Sequence, residues 1–205
     1  MLRVAAGWLK GHALTAPKHI RPTEGQVRQA MFNVLQAIVP NARVLDGYAG
    51  SGALGIEALS RGAAEVVFVE SDAECVKAIE RNLQSAELAE VPGRWSVIEG
   101  DVPGTLNKLA RRGSLFDIVL LDPPYADDAG KKALRAVDRY AILAPAGVLC
   151  LEHLRSQAFP ATVGSLKLLK RHRYGKTVLS FYQAASSDSP ASHDPASGSP
   201  PAAEA

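Results

Sequence analysis

Asp122-Pro123-Pro124-Tyr125 holds the clearest chemical signal in this chain. The tetrapeptide follows Ile118, Val119, Leu120 and Leu121, an apolar run that reads as a buried strand. It therefore falls at a strand's carboxyl end, where open α/β sheets keep their chemistry. Prolines stiffen the chain and donate no backbone hydrogen bond, so the Asp122 carboxylate and nearby carbonyls stand as acceptors beside an aromatic ring. That set suits a flat base carrying an exocyclic amine. The four residues alone also read as a proline-rich turn that merely ends a strand, and the rest of the chain decides between the two.

A second constellation lies upstream. Gly50-Ser51-Gly52-Ala53-Leu54-Gly55 has the glycine spacing of a tight strand-to-helix turn, and Glu70 follows Gly50 by 20 residues. Such a loop lets backbone approach a nucleotide cofactor, and an acid at the next strand's end grips ribose hydroxyls. Asp46 precedes the loop, which predicts a negative charge at its entrance. That charge repels a pyrophosphate and attracts an ammonium or sulfonium group, favouring S-adenosylmethionine over NAD. Asp101, just past a third strand, is placed to accept from an adenine amine. Each acid alone also reads as a turn cap. Three acids ending successive strands beside one glycine loop favour the cofactor.

The elements that must position these residues follow from periodicity. Residues 2–15 alternate loosely around Gly7 and Gly11, as a hairpin does. Thr23 reads as the cap of a helix whose apolar face is Val27, Ala30, Met31, Val34, Leu35 and Ile38, ending at Pro40. Strands are expected at 43–46, 65–70, 95–99, 116–122 and 148–152, alternating with helices at 53–61, 73–85, 102–111 and 129–141. That order means βαβ units and a parallel sheet covered on both faces. Residues 166–173 and 176–183 read as two further strands around Tyr174-Gly175. The predicted organisation is a hairpin and helix (1–40), an α/β core (41–183) and a tail (184–205).

Composition limits the partners. A chain of 205 residues that is 47% hydrophobic can bury one sizeable core. It carries no membrane-length apolar run and no signal-peptide pattern, so the expectation is a cytoplasmic monomer without membrane contact. Cys75 and Cys150 are far apart and read as core thiols, and the five histidines lack metal-ligand spacing, so no metal is expected. The Ala/Ser/Pro-rich tail lacks the apolar groups that offset ordering entropy and reads as disordered. Its three acids mask a body charge of +5 behind the chain's net +2. Basic residues cluster at the N-terminus (Arg3, Lys10, Lys18, Arg21, Arg28) and at 167–176, which suits a polyanion as well as a solvated surface.

The string from Asp46 to Ala63, together with Arg21-Pro22-Thr23, Val27-Arg28, Phe32-Asn33 and Asp122-Pro123-Pro124-Tyr125, resembles the bacterial methyltransferases that modify guanine N2 in 16S ribosomal RNA. The resemblance covers residues 1 to about 183. It implies a Rossmann-like methyltransferase fold with a seven-stranded, mostly parallel sheet and S-adenosylmethionine as donor. By the same resemblance the donor lies against Asp46, Tyr48, Ala49, Gly50, Ser51 and Gly52, then against Glu70, Ser71, Asp101 and Val102. Asp122, Pro123, Pro124 and Tyr125 become the catalytic set. Asp122 and the Pro123 carbonyl accept from the target amine and aim its lone pair at the methyl group, while Tyr125 stacks on a base drawn out of its helix. Arg21, Thr23 and Arg28 are placed to hold RNA phosphates, as are Arg171 and Arg173, which also read as a protected strand edge. The implied partner is small-subunit ribosomal RNA within an assembly intermediate. Two features depart from the family: Gly47-Tyr48 replaces its usual Leu-Phe or Leu-Tyr, and the tail is extra.

Three other functions compete. A DNA adenine-N6 or cytosine-N4 methyltransferase uses the same acceptor geometry, but 183 ordered residues leave no room for a separate target-recognition domain. A non-catalytic ribosome-assembly factor is disfavoured by the intact glycine loop and intact Asp122-Pro123-Pro124-Tyr125. A nicotinamide-dependent oxidoreductase is disfavoured by Asp46.

Overall fold

The first helix, α1 (Gly25–Leu35), lays Val27, Met31, Phe32 and Leu35 into the interior along one face. The chain then alternates as β1 (Arg43–Gly47), α2 (Ala53–Ser60), β2 (Glu65–Glu70), α3 (Ala73–Leu83), β3 (Arg94–Glu99), α4 (Val102–Arg111), β4 (Phe116–Leu121), α5 (Ala129–Arg139) and β5 (Leu143–Leu154). It closes with β6 (Thr162–Val163), β7 (Leu166–Tyr174) and β8 (Thr177–Ala184). This is a computed structural model, and it describes residues 2–20, 25–85, 93–124 and 128–184. Among the described residues no helix is long and apolar enough to cross a membrane.

One sheet runs in the order β3-β2-β1-β4-β5-β8-β7-β6. The first five strands are parallel; β8, β7 and β6 return antiparallel. The sheet has eight strands where seven were expected. The extra one, β6, is two residues long and carries no hydrophobic pattern. It turns into β7 through Gly164 and Ser165, where the Asp138 carboxylate accepts from the Ser165 amide (2.7 Å) and hydroxyl (2.9 Å). β5 is longer than the expected 148–152 because it pairs Leu143 with Phe116, bulges, and rejoins β4 at Val148. β8 runs to Ala184, the expected first residue of the tail.

Two apolar layers cover the sheet. One packs α1, α2, α3 and the N-terminal segment against Val44, Val66, Phe68, Ile118, Leu120 and Cys150; the other packs α4 and α5 against Leu45, Val67, Val119 and Leu149. Burying side chains such as Phe32, Phe68 and Leu45 stabilises the fold by about 1.5–3 kcal/mol each. α2 is buried on every side. It can sit that deep because Gly55 has no side chain: a Cβ there would lie 2.2 Å from the Phe68 ring.

The expected N-terminal hairpin forms as one bridge, Arg3 to Ala13, with the Val4 amide donating to His12 and the Gly11 amide to Val4. Buried polar groups of α2 hold it. The Glu57 carboxylate accepts from the amides of Ala5 (2.7 Å) and Ala6 (3.1 Å), and the Ser60 hydroxyl accepts from the Leu9 amide. Chain order reverses between β1 and β4, with β2 and β3 on one side and β4 and β5 on the other. The crevice at the carboxyl ends of those two strands is where such sheets bind ligands.

Candidate active site

The glycine loop and Asp122 stand on opposite sides of that crevice, linked by the Asp122 amide donating to the Gly47 carbonyl at 3.5 Å. Between them opens a cavity of about 1120 Å³ lined by Tyr48, Ala49, Gly50, Ser51, Glu70, Ser71, Asp122, Pro123 and Pro124. The sequence-predicted donor and acceptor residues therefore meet in one space. A smaller cavity of about 170 Å³ adjoins it through Tyr48, Glu70 and Ser71 and reaches Asp101 and Val102. Tyr125 lies outside the described residues.

Each wall has a local cause. Gly50 turns the loop with φ of +56°, a conformation side chains rarely adopt. Glu70 fixes the turn from β2: one carboxylate oxygen accepts from the Gly50 amide (2.8 Å), the other from the amides of Ser71 (2.7 Å) and Asp72 (2.9 Å). Three of about four lone-pair sites are thus occupied, leaving room for one ligand hydroxyl where two were expected. Asp101 caps α4 by accepting from the Gly104 amide at 2.8 Å and still faces the smaller cavity. The Tyr48 hydroxyl donates to the Ala129 carbonyl, and burial, with Asp101 nearby, pushes its pKa up to about 12.

Asp46 requires a correction. It was expected as a charge at the loop's entrance, but it is fully buried and its Oδ2 accepts from the Gly55 amide at 2.8 Å. Its Oδ1 accepts no hydrogen bond among the described residues. Burial pushes its carboxyl well above the usual range, opposed by the Gly55 N–H and reinforced by Asp122 and Glu70. Asp46 ties β1 to α2 and does not line the cavity. Gly52 likewise lies beneath the loop, as the left-handed cap of α2.

The cavity's negative field comes from other groups. Among its described lining residues Glu70, Asp72, Asp122 and Glu152 supply carboxylates, with Lys176 as the lysine. A pyrophosphate is repelled here, whereas a nucleoside bearing ammonium and sulfonium charge is attracted. The glycine loop that lines the cavity, the acid at its rim and the adjoining smaller cavity fit such a donor.

Two contributors were missed by sequence reasoning. Glu152, buried at the end of β5, lines the cavity beside Asp122. Its signal was present, since it is another acid closing a parallel strand. Asn82 on α3 is buried and donates to the carbonyls of Ser51 (3.0 Å) and Thr15 (2.9 Å), pinning loop and N-terminal segment together. Nothing in the periodicity of α3 marks it.

The expected RNA-contacting residues separate. Arg28 does not face solvent: it is 3% exposed, donates to the Arg3 carbonyl and stands 3.7 Å from the Glu57 carboxylate. Its place on the buried stripe of α1 overrides its charge. Arg171 is exposed, but its guanidinium donates to the Phe159 carbonyl at 2.5 Å and so braces the loop before β6. Arg173 is exposed on β7. Arg21 and Thr23 lie outside the described residues. As for metals, His19, Asp72 and Cys75 place ligand atoms within 4.8 Å of one another. Asp72 is already the α3 cap, and burial pushes the Cys75 thiol up to about 11, which disfavours the thiolate a metal needs.

Comparison with known proteins agrees with this fold. The chain is 35% identical over 184 residues to the YlbH protein of Bacillus subtilis, covering 89% of this chain and 98% of that one. It is 31% identical over 188 residues to the ribosomal RNA small subunit methyltransferase D of Haemophilus influenzae, covering 89% and 93%. Among solved structures, the yhhF protein of Escherichia coli superposes with a TM-score of 0.76 at 30% identity, over 89% of this chain and 97% of that one. The architecture is the Rossmann-like methyltransferase fold. The sequence profile of the family described as conserved hypothetical protein 95 matches residues 2–183, and the chain belongs to that family.

Proposed function

We propose that the protein transfers a methyl group from S-adenosylmethionine to the exocyclic N2 amine of a guanosine in small-subunit ribosomal RNA. One observation carries this reading: Asp122, Pro123 and Pro124 share an acid-lined cavity with the glycine loop and Glu70 across the β1/β4 switch point. The RNA class is supported by the relatives of Haemophilus influenzae and Escherichia coli, both named ribosomal RNA small subunit methyltransferase D.

The donor supplies an electrophilic methyl on a sulfonium. Glu70 accepts from a ribose hydroxyl, and Asp101 accepts from the adenine amine. An aromatic amine is a poor nucleophile because its lone pair is delocalised into the ring. The Asp122 carboxylate and the Pro123 carbonyl accept the two amine hydrogens, which favours a pyramidal nitrogen with its lone pair directed at the methyl group. As the N–CH3 bond forms, the S–CH3 bond would break and release a neutral thioether, and the cationic methylated amine would lose its extra proton to Asp122 or to water. Alignment and the carboxylate's stabilisation of positive charge developing on nitrogen supply the rate. Tyr125 stacks on the flipped base. Arg21 and Thr23, ahead of α1, and Arg173 hold phosphates.

The acceptor is an assembling particle, because a chain of this size has little surface for reading extended sequence and an ordered particle presents one base by shape. The test is to incubate the protein with labelled donor and small-subunit particles, naked ribosomal RNA or duplex DNA, and to identify the methylated nucleoside by mass spectrometry. N2-methylguanosine from particles is expected. Labelling of DNA alone, or of adenine or cytosine, overturns the guanosine reading.

A further inference from the structure

Glu152 belongs to the same cavity as Asp122 but has no part in the steps above. Leu121 pairs with Leu151 in parallel register, so the next residues on each strand, Asp122 and Glu152, follow side by side. Cys150, two residues before Glu152, packs in the layer that covers α1 and α2, and β-strand alternation puts Glu152 on that same face. Both acids line the large cavity, as do Tyr174 and Lys176 at the β7–β8 turn, which adjoins the end of β5 where Thr177 pairs with Leu154. Leu120 and Cys150, two residues before each acid, are themselves paired across β4 and β5.

We propose that Glu152 selects guanine by accepting the N1–H of the target base while Asp122 accepts from its N2 amine. This rests on the guanosine reading above and adds the reason for the choice of base. Adjacent strands lie about 4.8 Å apart, close enough for two side chains to converge on neighbouring groups of one base edge. Side-by-side carboxylates repel each other, and a ligand that donates to both removes part of that penalty. Guanine offers two adjacent donors, N1–H and N2–H, on its Watson–Crick edge. Adenine and cytosine carry an amine, but next to it lies a ring nitrogen with a lone pair, which a carboxylate repels. A site built around a donor discriminates strongly against an analogue that lacks it. The Lys176 ammonium, on the same cavity wall, complements the guanine O6 acceptor.

The experiment first locates the methylated nucleotide in small-subunit particles treated with the wild-type protein. It then places 2-aminopurine there by splinted ligation, which keeps the amine, replaces N1–H with a lone pair and removes O6. The part of the preference that depends on Glu152 is therefore the part that reports on N1. The wild type is expected to favour guanosine over 2-aminopurine by at least about 100-fold in kcat/KM. Glu152→Gln, whose amide can rotate to donate or accept, should lower guanosine turnover and bring that ratio to about 10-fold or less, with donor affinity by calorimetry unchanged. Glu152→Asp should lose turnover yet keep the preference. An unchanged ratio in Glu152→Gln overturns the assignment while leaving the guanosine reading standing. So does a loss of donor affinity that matches the loss of turnover. Absence of N2-methylguanosine in the wild-type reaction overturns both.

Discussion

Arg28 on α1 and Glu57 on α2 face each other inside the protein, the guanidinium Nε 3.7 Å from the carboxylate Oε2. Neither side chain reaches solvent appreciably, at 4% and 0% exposure. Glu57 also accepts from Arg61 at 2.7 Å and from the amides of Ala5 and Ala6, while Arg28 donates to the Arg3 carbonyl. One buried carboxylate therefore fastens the N-terminal segment and α1 to α2. Val27 of that helix and Ile20 just before it line the cavity, so the fastening also shapes the site.

Removing one partner of a buried pair leaves the other uncompensated. Glu57→Ala is expected to destabilise the fold by about 3–5 kcal/mol, read as a lowered urea midpoint. Arg28→Met should also lower stability. Because Arg28 is not at the surface, it should leave the salt dependence of RNA binding unchanged. A shallower salt slope in that variant would restore Arg28 as a phosphate contact.

Glu70→Ala is expected to weaken donor binding by about 1–3 kcal/mol through the lost charge-assisted hydroxyl contact. It also removes the acceptor for the Gly50, Ser71 and Asp72 amides, so a thermal melt should show a lower Tm alongside the calorimetric loss. Unchanged affinity with a lowered Tm would make Glu70 a purely structural clamp.

Asp122→Ala should abolish methyl transfer while donor affinity stays near wild type, because its partner is the target amine. Turnover and calorimetry on one preparation decide this. Turnover near the wild-type level would make Asp122 a turn residue.

Much of this arrangement was legible because local signals and tertiary needs agreed. Glycine spacing, acids at strand ends and the apolar run before Asp122 all point to the same sheet edge. Three things were hidden for physical reasons. Charge misled at Arg28 and Asp46, where helix and strand positions buried groups that composition reads as solvent-facing. The short β6 has no pattern to read, since its existence depends on Asp138, 27 residues away from Ser165. Asn82 acts through contacts 31 and 67 residues distant, which no local periodicity reports.

Arg173→Ala and Arg171→Ala should differ. Loss of a phosphate contact at Arg173 should weaken RNA binding uniformly and lower the slope of log affinity against log salt by about 1. Arg171 already holds the Phe159 carbonyl, so its replacement should chiefly loosen the segment before β6, seen as faster amide exchange there. Equal salt-slope changes would assign both to RNA.

The folded-state pKa of Asp46 is raised above the ordinary aspartate value of 3.8, chiefly by burial. Above that value the unfolded chain gives up the proton while the folded protein retains it, so stability falls as pH rises through this window. It levels off once the folded carboxyl has also ionised. Asp46→Asn removes the titration and keeps an oxygen that can accept from the Gly55 amide. Any packing offset the new amide introduces does not vary with pH. The difference in unfolding free energy between Asp46→Asn and wild type should therefore shift in favour of the variant from about pH 4 upward and then plateau. Urea unfolding of both proteins across that range measures it. A difference that is flat throughout, or that moves towards the wild type as pH rises, would show an ordinary ionised carboxylate at this position and return Asp46 to the role of a charge facing the donor.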